Sequence, residues 1–163
     1  MVDQDFVQNL QHLRDNLLTI LNVSVDSMIR QLEEMTPQEP MEFSLSMPSS
    51  FFKGKKPTAV IFPDGRDIAV SNWKQTVSAM FDDAAKDKTI LEQLYHMRNR
   101  VYGRSRLLLG DSPSAMNQPL KIAEGLFFES KFDTESLLNV LAERIFKPTG
   151  YDFGAIRLRI KVE

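Results

Sequence analysis

Three observations predict an α+β fold, a largely antiparallel sheet with packed helices, preceded by a long N-terminal amphipathic helix. The first is an apolar period near 3.6 residues sustained across the N-terminal 35 residues of the 163-residue chain. The second is a set of short β-branched and aromatic runs joined by tight turns. The third is the grouping of the helical patterns between those runs, as in domains that segregate helices from an antiparallel sheet.

The period is carried by Phe6, Leu10, Leu13, Leu17, Leu21, Val25, Met28, Leu32 and Met35, at steps of three or four. Such spacing describes a straight amphipathic helix rather than a strict heptad seam. Asn22, Val23, Ser24 and Val25 form its weakest stretch, because β-branched and self-capping residues favour a kink, and Pro37 stops it. A helix of this kind does not stand alone in water, so its stripe must cover the body or a second copy. The expectation is a homodimer held by residues 3–35, with Phe6, Leu10, Leu13, Leu17, Leu21, Met28 and Leu32 as the oligomerisation contacts.

Residues 37–57 contain four prolines and no sustained period, apart from one extended piece at Phe43–Met47. They read as a linker between a helical arm (1–36) and an α+β domain (58–163). The domain opens with Thr58–Phe62 and Arg66–Val70, two strands flanking Pro63-Asp64-Gly65, a bulged hairpin turn. Asn72 and Gln75 have the spacing of a capping box for a helix bearing Trp73, Val77 and Met80 on one face. Trp73 is expected in the core. A second helix follows, with Ile90, Leu94, Met97 and Val101 in register and Gly103 as its terminator.

The segment 104–110, RSRLLLG, is expected as a strand, and PLKI and LFFES as a strand pair around Ala123-Glu124-Gly125. Asp133 caps the last helix, with Phe132 stapling Leu137, and Pro148 and Gly150 end it. From Ala155 the chain alternates: Ile156, Leu158, Ile160 and Val162 on one face, Arg157, Arg159 and Lys161 on the other. That is a half-buried strand.

Composition excludes much chemistry. There is no cysteine, which removes disulfides, thiolate nucleophiles and cysteine zinc sites, and suits a reducing, cytoplasmic setting. No apolar run approaches the length of a membrane span, and the acidic N-terminus is unlike a signal or transit peptide. The two histidines, His12 and His96, lie apart in helical patterns, without the spacing of metal ligands or a catalytic pair. No phosphate-binding loop, dinucleotide fingerprint or nucleophile elbow occurs. No cofactor and no metal are therefore expected. One pattern does carry chemistry: Asp64 after an apolar strand, with Glu129 and Lys131 at the end of another, resembles the PD-(D/E)xK arrangement of Mg²⁺-dependent nucleases. Asp64 is equally well explained by its turn.

Basic residues are the stronger lead. The first fifty residues hold two bases against eight acids, whereas the remainder holds eighteen against fourteen. Arg98, Arg100, Arg104 and Arg106 fall in nine residues without an acid. Arg157, Arg159 and Lys161 form a ladder spaced about 6.6–6.8 Å, twice the rise of a strand residue. Lys53, Lys55 and Lys56 extend the positive surface. Such an arrangement suits a phosphate track. The same cations also serve to block pairing at a sheet edge, or to complement a helix dipole.

From residue 59, "AVIFPDGRDIAVSNWKQ", the "GRSR" segment, "PLKIAEGLFFE", a helix and "GYDFGAIRLRI" together resemble an uncharacterised bacterial accessory domain. Such domains are associated with restriction-like and mobile-element proteins. The likeness covers about residues 58–163 and rests on turns, tryptophan, glycines and strand alternation. It implies an accessory role near nucleic acid and transfers no catalytic residue. The functional expectation is a non-enzymatic module, DNA-associated or protein-bridging, in a bacterial mobile-element or defence context. The alternatives are a pure protein-interaction scaffold and a Mg²⁺-dependent nuclease using Asp64, Glu129 and Lys131.

Overall fold

The computed structural model describes residues 3–34 and 41–161. Met35 at the end of the stripe, Pro37 as its stop, and Val162 in the closing alternation lie outside the described residues. The chain divides into two units between residues 39 and 40.

The first unit is helix α1, Gln4–Glu34, 31 residues long. Asp3 starts it: its carboxylate accepts the Asp5 N–H at 3.0 Å and its carbonyl accepts the Val7 N–H. Helical structure runs unbroken through Asn22–Val25. No residue of α1 is buried, and Leu17, Leu21 and Phe6 are each 58% exposed.

The body is α+β. Strands β1 (Met41–Ser44), β2 (Pro57–Ile61), β3 (Asp67–Ala69) and β7 (Arg157–Ile160) form an antiparallel sheet ordered β1-β7-β2-β3. Strands β4 (Leu109–Gly110), β5 (Pro119–Ala123) and β6 (Leu126–Glu129) form a second antiparallel sheet, ordered β4-β6-β5. Helices α2 (Trp73–Lys86) and α3 (Lys88–Met97) lie between them in sequence. Phe81 of α2 ties the core together, its ring 5.2 Å from both Phe128 on β6 and Phe146 near the C-terminal helix end.

Residues 41–57 correct the expected linker, because they belong to the body. Strand β1 pairs residue for residue with β7, placing Glu42 opposite Arg159 and Phe43 opposite Leu158. A 3₁₀ turn at Ser49–Phe52 then buries Phe52 completely. A four-residue strand and a single turn are too short to show a period. The prolines that read as linker residues fit the ends of these pieces: Pro48 precedes the turn, and Pro57 opens β2, a position where proline is tolerated.

The β2–β3 hairpin and the start of α2 form as expected. Gly65 takes φ 91° in the turn. The Asn72 side chain accepts the Gln75 N–H at 2.8 Å, and Gln75 Oε1 reaches back to the Ser71 N–H at 2.8 Å. Val77 and Met80 are fully buried, but Trp73 is half-buried, which corrects its placement in the core. Standing at the first helical position, its indole packs at the helix end against Phe52, and Nε1–H donates to the Lys55 carbonyl at 2.9 Å. An indole N–H needs such a partner when its ring is covered.

Helix α3 stops at Met97, not at Gly103. Asn99 takes the left-handed conformation (φ 63°), a role asparagine tolerates because its short polar side chain bonds locally. Val101 is thereby outside the helix. The strand expected at 104–110 shrinks to Leu109–Gly110. Before it, a Tyr102–Leu107 bridge and a Gly103 N–H to Arg106 carbonyl bond (2.8 Å) close residues 103–106 into a tight loop. The last helix comprises α4 (Thr134–Asn139), a π-helical segment (Val140–Phe146) and α5 (Lys147–Thr149), with helical dihedrals through both joints. Asp133 caps it, and Gly150 at φ 75° ends it.

Candidate anion-binding cleft

Strand β7 lies inside its sheet, between β1 and β2, so its cations do not protect an edge. The pleat sends Leu158 and Ile160 inward and Arg157 and Arg159 outward. Both arginines meet carboxylates from neighbouring strands: Arg157 Nη1 is 2.9 Å from Glu42 Oε2, while Arg159 Nη2 lies 3.3 Å from Glu42 Oε1 and 2.8 Å from Asp67 Oδ2. The Asp67 bond raises the Arg159 pKa above its ordinary value, and Glu42 adds to it. Two thirds of the expected ladder is therefore an ion network on the sheet face. Lys161 is exposed, its backbone N–H on the Lys56 carbonyl at 3.0 Å.

The arginine cluster divides. Arg98 donates to the Gly125 carbonyl at 2.9 Å and lies 5.5 Å above the Tyr95 ring, bracing the β5–β6 turn. Arg100 is exposed on the chain leaving α3. Arg104 and Arg106 project from the 103–106 loop into an open cleft of about 930 Å³. Lys131 and Arg144, which the sequence did not single out as nucleic-acid contacts, line the same cleft.

Each wall has a local cause. The Tyr102–Leu107 bridge pinches the loop so that Arg104 and Arg106 share one opening. Arg106 is oriented by a 2.9 Å bond to the Lys131 carbonyl and by the Phe132 ring, 5.4 Å away. On the opposite wall stand Ser136, Val140 and Arg144. An α-helix overshoots a full turn by about 40° in four residues. The wider π turn undershoots instead, returning Arg144 to the side on which Ser136 and Val140 stand.

Electrostatically the cleft is unbalanced. Among the described residues, Arg104, Lys131 and Arg144 have no salt bridge. Asp133 is the one carboxylate in the lining, and its oxygens accept the Ser136 N–H (2.9 Å) and Oγ–H (2.8 Å), which hold its pKa below the usual range. Glu129 lies behind the wall, 1% exposed. Burial alone would raise its pKa, but backbone N–H groups of Asn117, Gln118 and Lys131, with help from Arg106, bring it below the ordinary value. Four cations against two carboxylates leave the site net positive.

The residues of the nuclease pattern are spread over two sheets. Asp64 sits in the β2–β3 turn, accepting the Arg66 N–H at 3.1 Å and Nε–H at 2.6 Å, which lower its pKa. Glu129 spends its oxygens on three backbone donors, and Lys131 faces the cleft. Among the described residues no three histidine or carboxylate side chains are grouped to hold a metal. A separate network joins Arg66, Asp83 and Tyr151. The Tyr151 hydroxyl donates to Asp83 at 2.6 Å, and burial followed by this bond pushes its pKa upward.

No protein-family model matches the chain, and neither a curated protein nor a solved structure does. No helix among the described residues is long and apolar enough to cross a membrane.

Proposed function

We propose that this protein is a non-enzymatic accessory module of a reducing, cytoplasmic compartment that holds a nucleic-acid backbone in the basic cleft and self-associates through α1. The mobile-element setting implied by the sequence resemblance fits such a role. One observation carries the proposal: Arg104, Arg106, Lys131 and Arg144 converge on a cleft whose single lining carboxylate is already bonded. Cations without a carboxylate partner are those free to exchange their counterions for phosphate. The contact set thus moves from the expected β7 ladder, whose arginines are paired, to the loop, Lys131 and the π segment.

Titration of labelled duplex and single strands at low and moderate salt tests this. With four contacts the logarithm of affinity should fall against the logarithm of salt with a slope of about −3 to −4. Arg104→Ala with Arg144→Ala should weaken binding and flatten the slope by about two units. Arg157→Ala should leave both unchanged. No binding of either nucleic acid at low salt would reject the proposal in favour of a protein-interaction scaffold, for which the uncovered apolar face of α1 is the supporting observation.

A further inference from the structure

Resting on the proposal that α1 self-associates, we infer that its partner is α1 of a second copy running antiparallel, centred on Leu21. The apolar positions are nearly mirror-symmetric about that residue. Going towards the C-terminus they fall at Val25, Met28 and Leu32; going towards the N-terminus, at Leu17, Leu13 and Leu10. At about 100° per residue, the apolar face spans roughly half the helix circumference, with Leu21 near its middle. Antiparallel pairing about Leu21 sets Leu10 against Leu32 and Leu17 against Val25, with Leu21 against its own copy. All five are exposed in α1, Leu32 at 67%.

Charge decides between the two directions. Arg14 lies inside the apolar face, about 20° from Leu21 around the helix. A parallel, in-register pair would place Arg14 against Arg14 in the seam, and the other charged residues against themselves. The antiparallel register places Arg14 level with Met28, whose flexible thioether side chain adapts to the arginine stem. The guanidinium already turns aside to Asp15, 3.3 Å away. In this register Asp15 faces the level of Ser27, Asp26 that of Asn16, Arg30 that of His12, and Glu33 that of Asn9. Within Gln4–Glu34 no like-charged pair shares a level. Antiparallel helices also oppose their dipoles favourably.

The chain contains no cysteine, so single cysteines report orientation directly. Leu21→Cys alone should cross-link into dimers under mild oxidation. Leu10→Cys mixed with a size-tagged Leu32→Cys chain should give the mixed dimer at least five times more abundantly than either variant cross-links to itself. Strong self-cross-linking of Leu10→Cys, or a trimeric mass in sedimentation, would overturn the inference, since three identical helices cannot all run antiparallel. A monomeric mass at tens of micromolar, with no cross-link from Leu21→Cys, would instead remove self-association itself.

Discussion

Glu129 offers the sharpest test of the body's construction. Its carboxylate receives the Asn117 N–H at 2.6 Å and the Gln118 and Lys131 N–H groups at 3.0 Å each. Hydrogen bonds to a charged acceptor contribute about 1.5–3 kcal/mol apiece before the carboxylate's desolvation is set against them. Three bonds less that penalty leave a net loss of about 3–5 kcal/mol for Glu129→Ala. Glu129→Gln keeps one acceptor oxygen but turns an NH₂ towards a backbone donor, costing about 2–4 kcal/mol. For a chain of this size each kcal/mol moves Tm by about 2–4 °C, so the alanine variant should melt roughly 6–20 °C lower. The pH dependence has a definite sign. Because the folded pKa is depressed, the contribution is fully present above the ordinary glutamate value of about 4.3 and is lost as pH falls through the lower folded value. In urea melts the stability gap between wild type and Glu129→Gln should therefore be smaller at pH 3 than at pH 7. Equal stabilities at pH 7, or a gap that widens in acid, would refute the assignment of Glu129 as a charged anchor of the cleft wall.

Asn72→Ala should cost about 1 kcal/mol in denaturant melts by removing the α2 cap. Tyr151→Phe should cost about 1.5–3 kcal/mol, the worth of a hydrogen bond to a charged acceptor, and Asp83→Asn in the Tyr151→Phe background should show non-additive coupling in a double-mutant cycle. Trp73 emission should be blue-shifted yet partly quenched by iodide, intermediate between a buried and a free indole. Complete protection from iodide would contradict its half-exposed position at the helix end.

Local chemistry was legible wherever one side chain closes one turn. Asn72, Gln75, Gly65, Asp133 and Gly150 each occupy the position their residue type predicts. Pairings set by distant residues were not. Of Met41–Ser44 only the edge of an extended piece at Phe43–Met47 is legible, because its partner lies more than a hundred residues away and four residues cannot establish a period. Glycine is the commonest left-handed residue, so the sequence alone ends α3 at Gly103, yet Asn99 takes that conformation four residues earlier. The basic ladder does lie on one face of a strand at Arg157 and Arg159, while Lys161 falls just past its end. Its neighbours, Glu42 and Asp67, are contributed by β1 and β3, and only topology reveals that they neutralise it. Half of the cleft was visible as Arg104 and Arg106; Lys131 and Arg144 join them through a helix whose π segment leaves no clear sequence mark.

The position of β7 between β1 and β2 has a consequence for how the body is made. Hairpins β2–β3 and β5–β6 close over a few residues and can form early, but the four-stranded sheet lacks its middle until residues 157–160 arrive. On a ribosome, β1 waits through the synthesis of more than a hundred residues, at about 5–20 residues per second, before its hydrogen-bonding partner exists. During that interval β1 and β2 each present an unpaired edge, and the aromatic chain from Phe43 through Phe51 and Phe52 stays without its strand neighbour. Folding should accordingly be slow for the size of the body, limited by one non-local closure. A nascent chain stalled before Ile156 should be protease-sensitive across 41–62, and protected there once β7 has emerged.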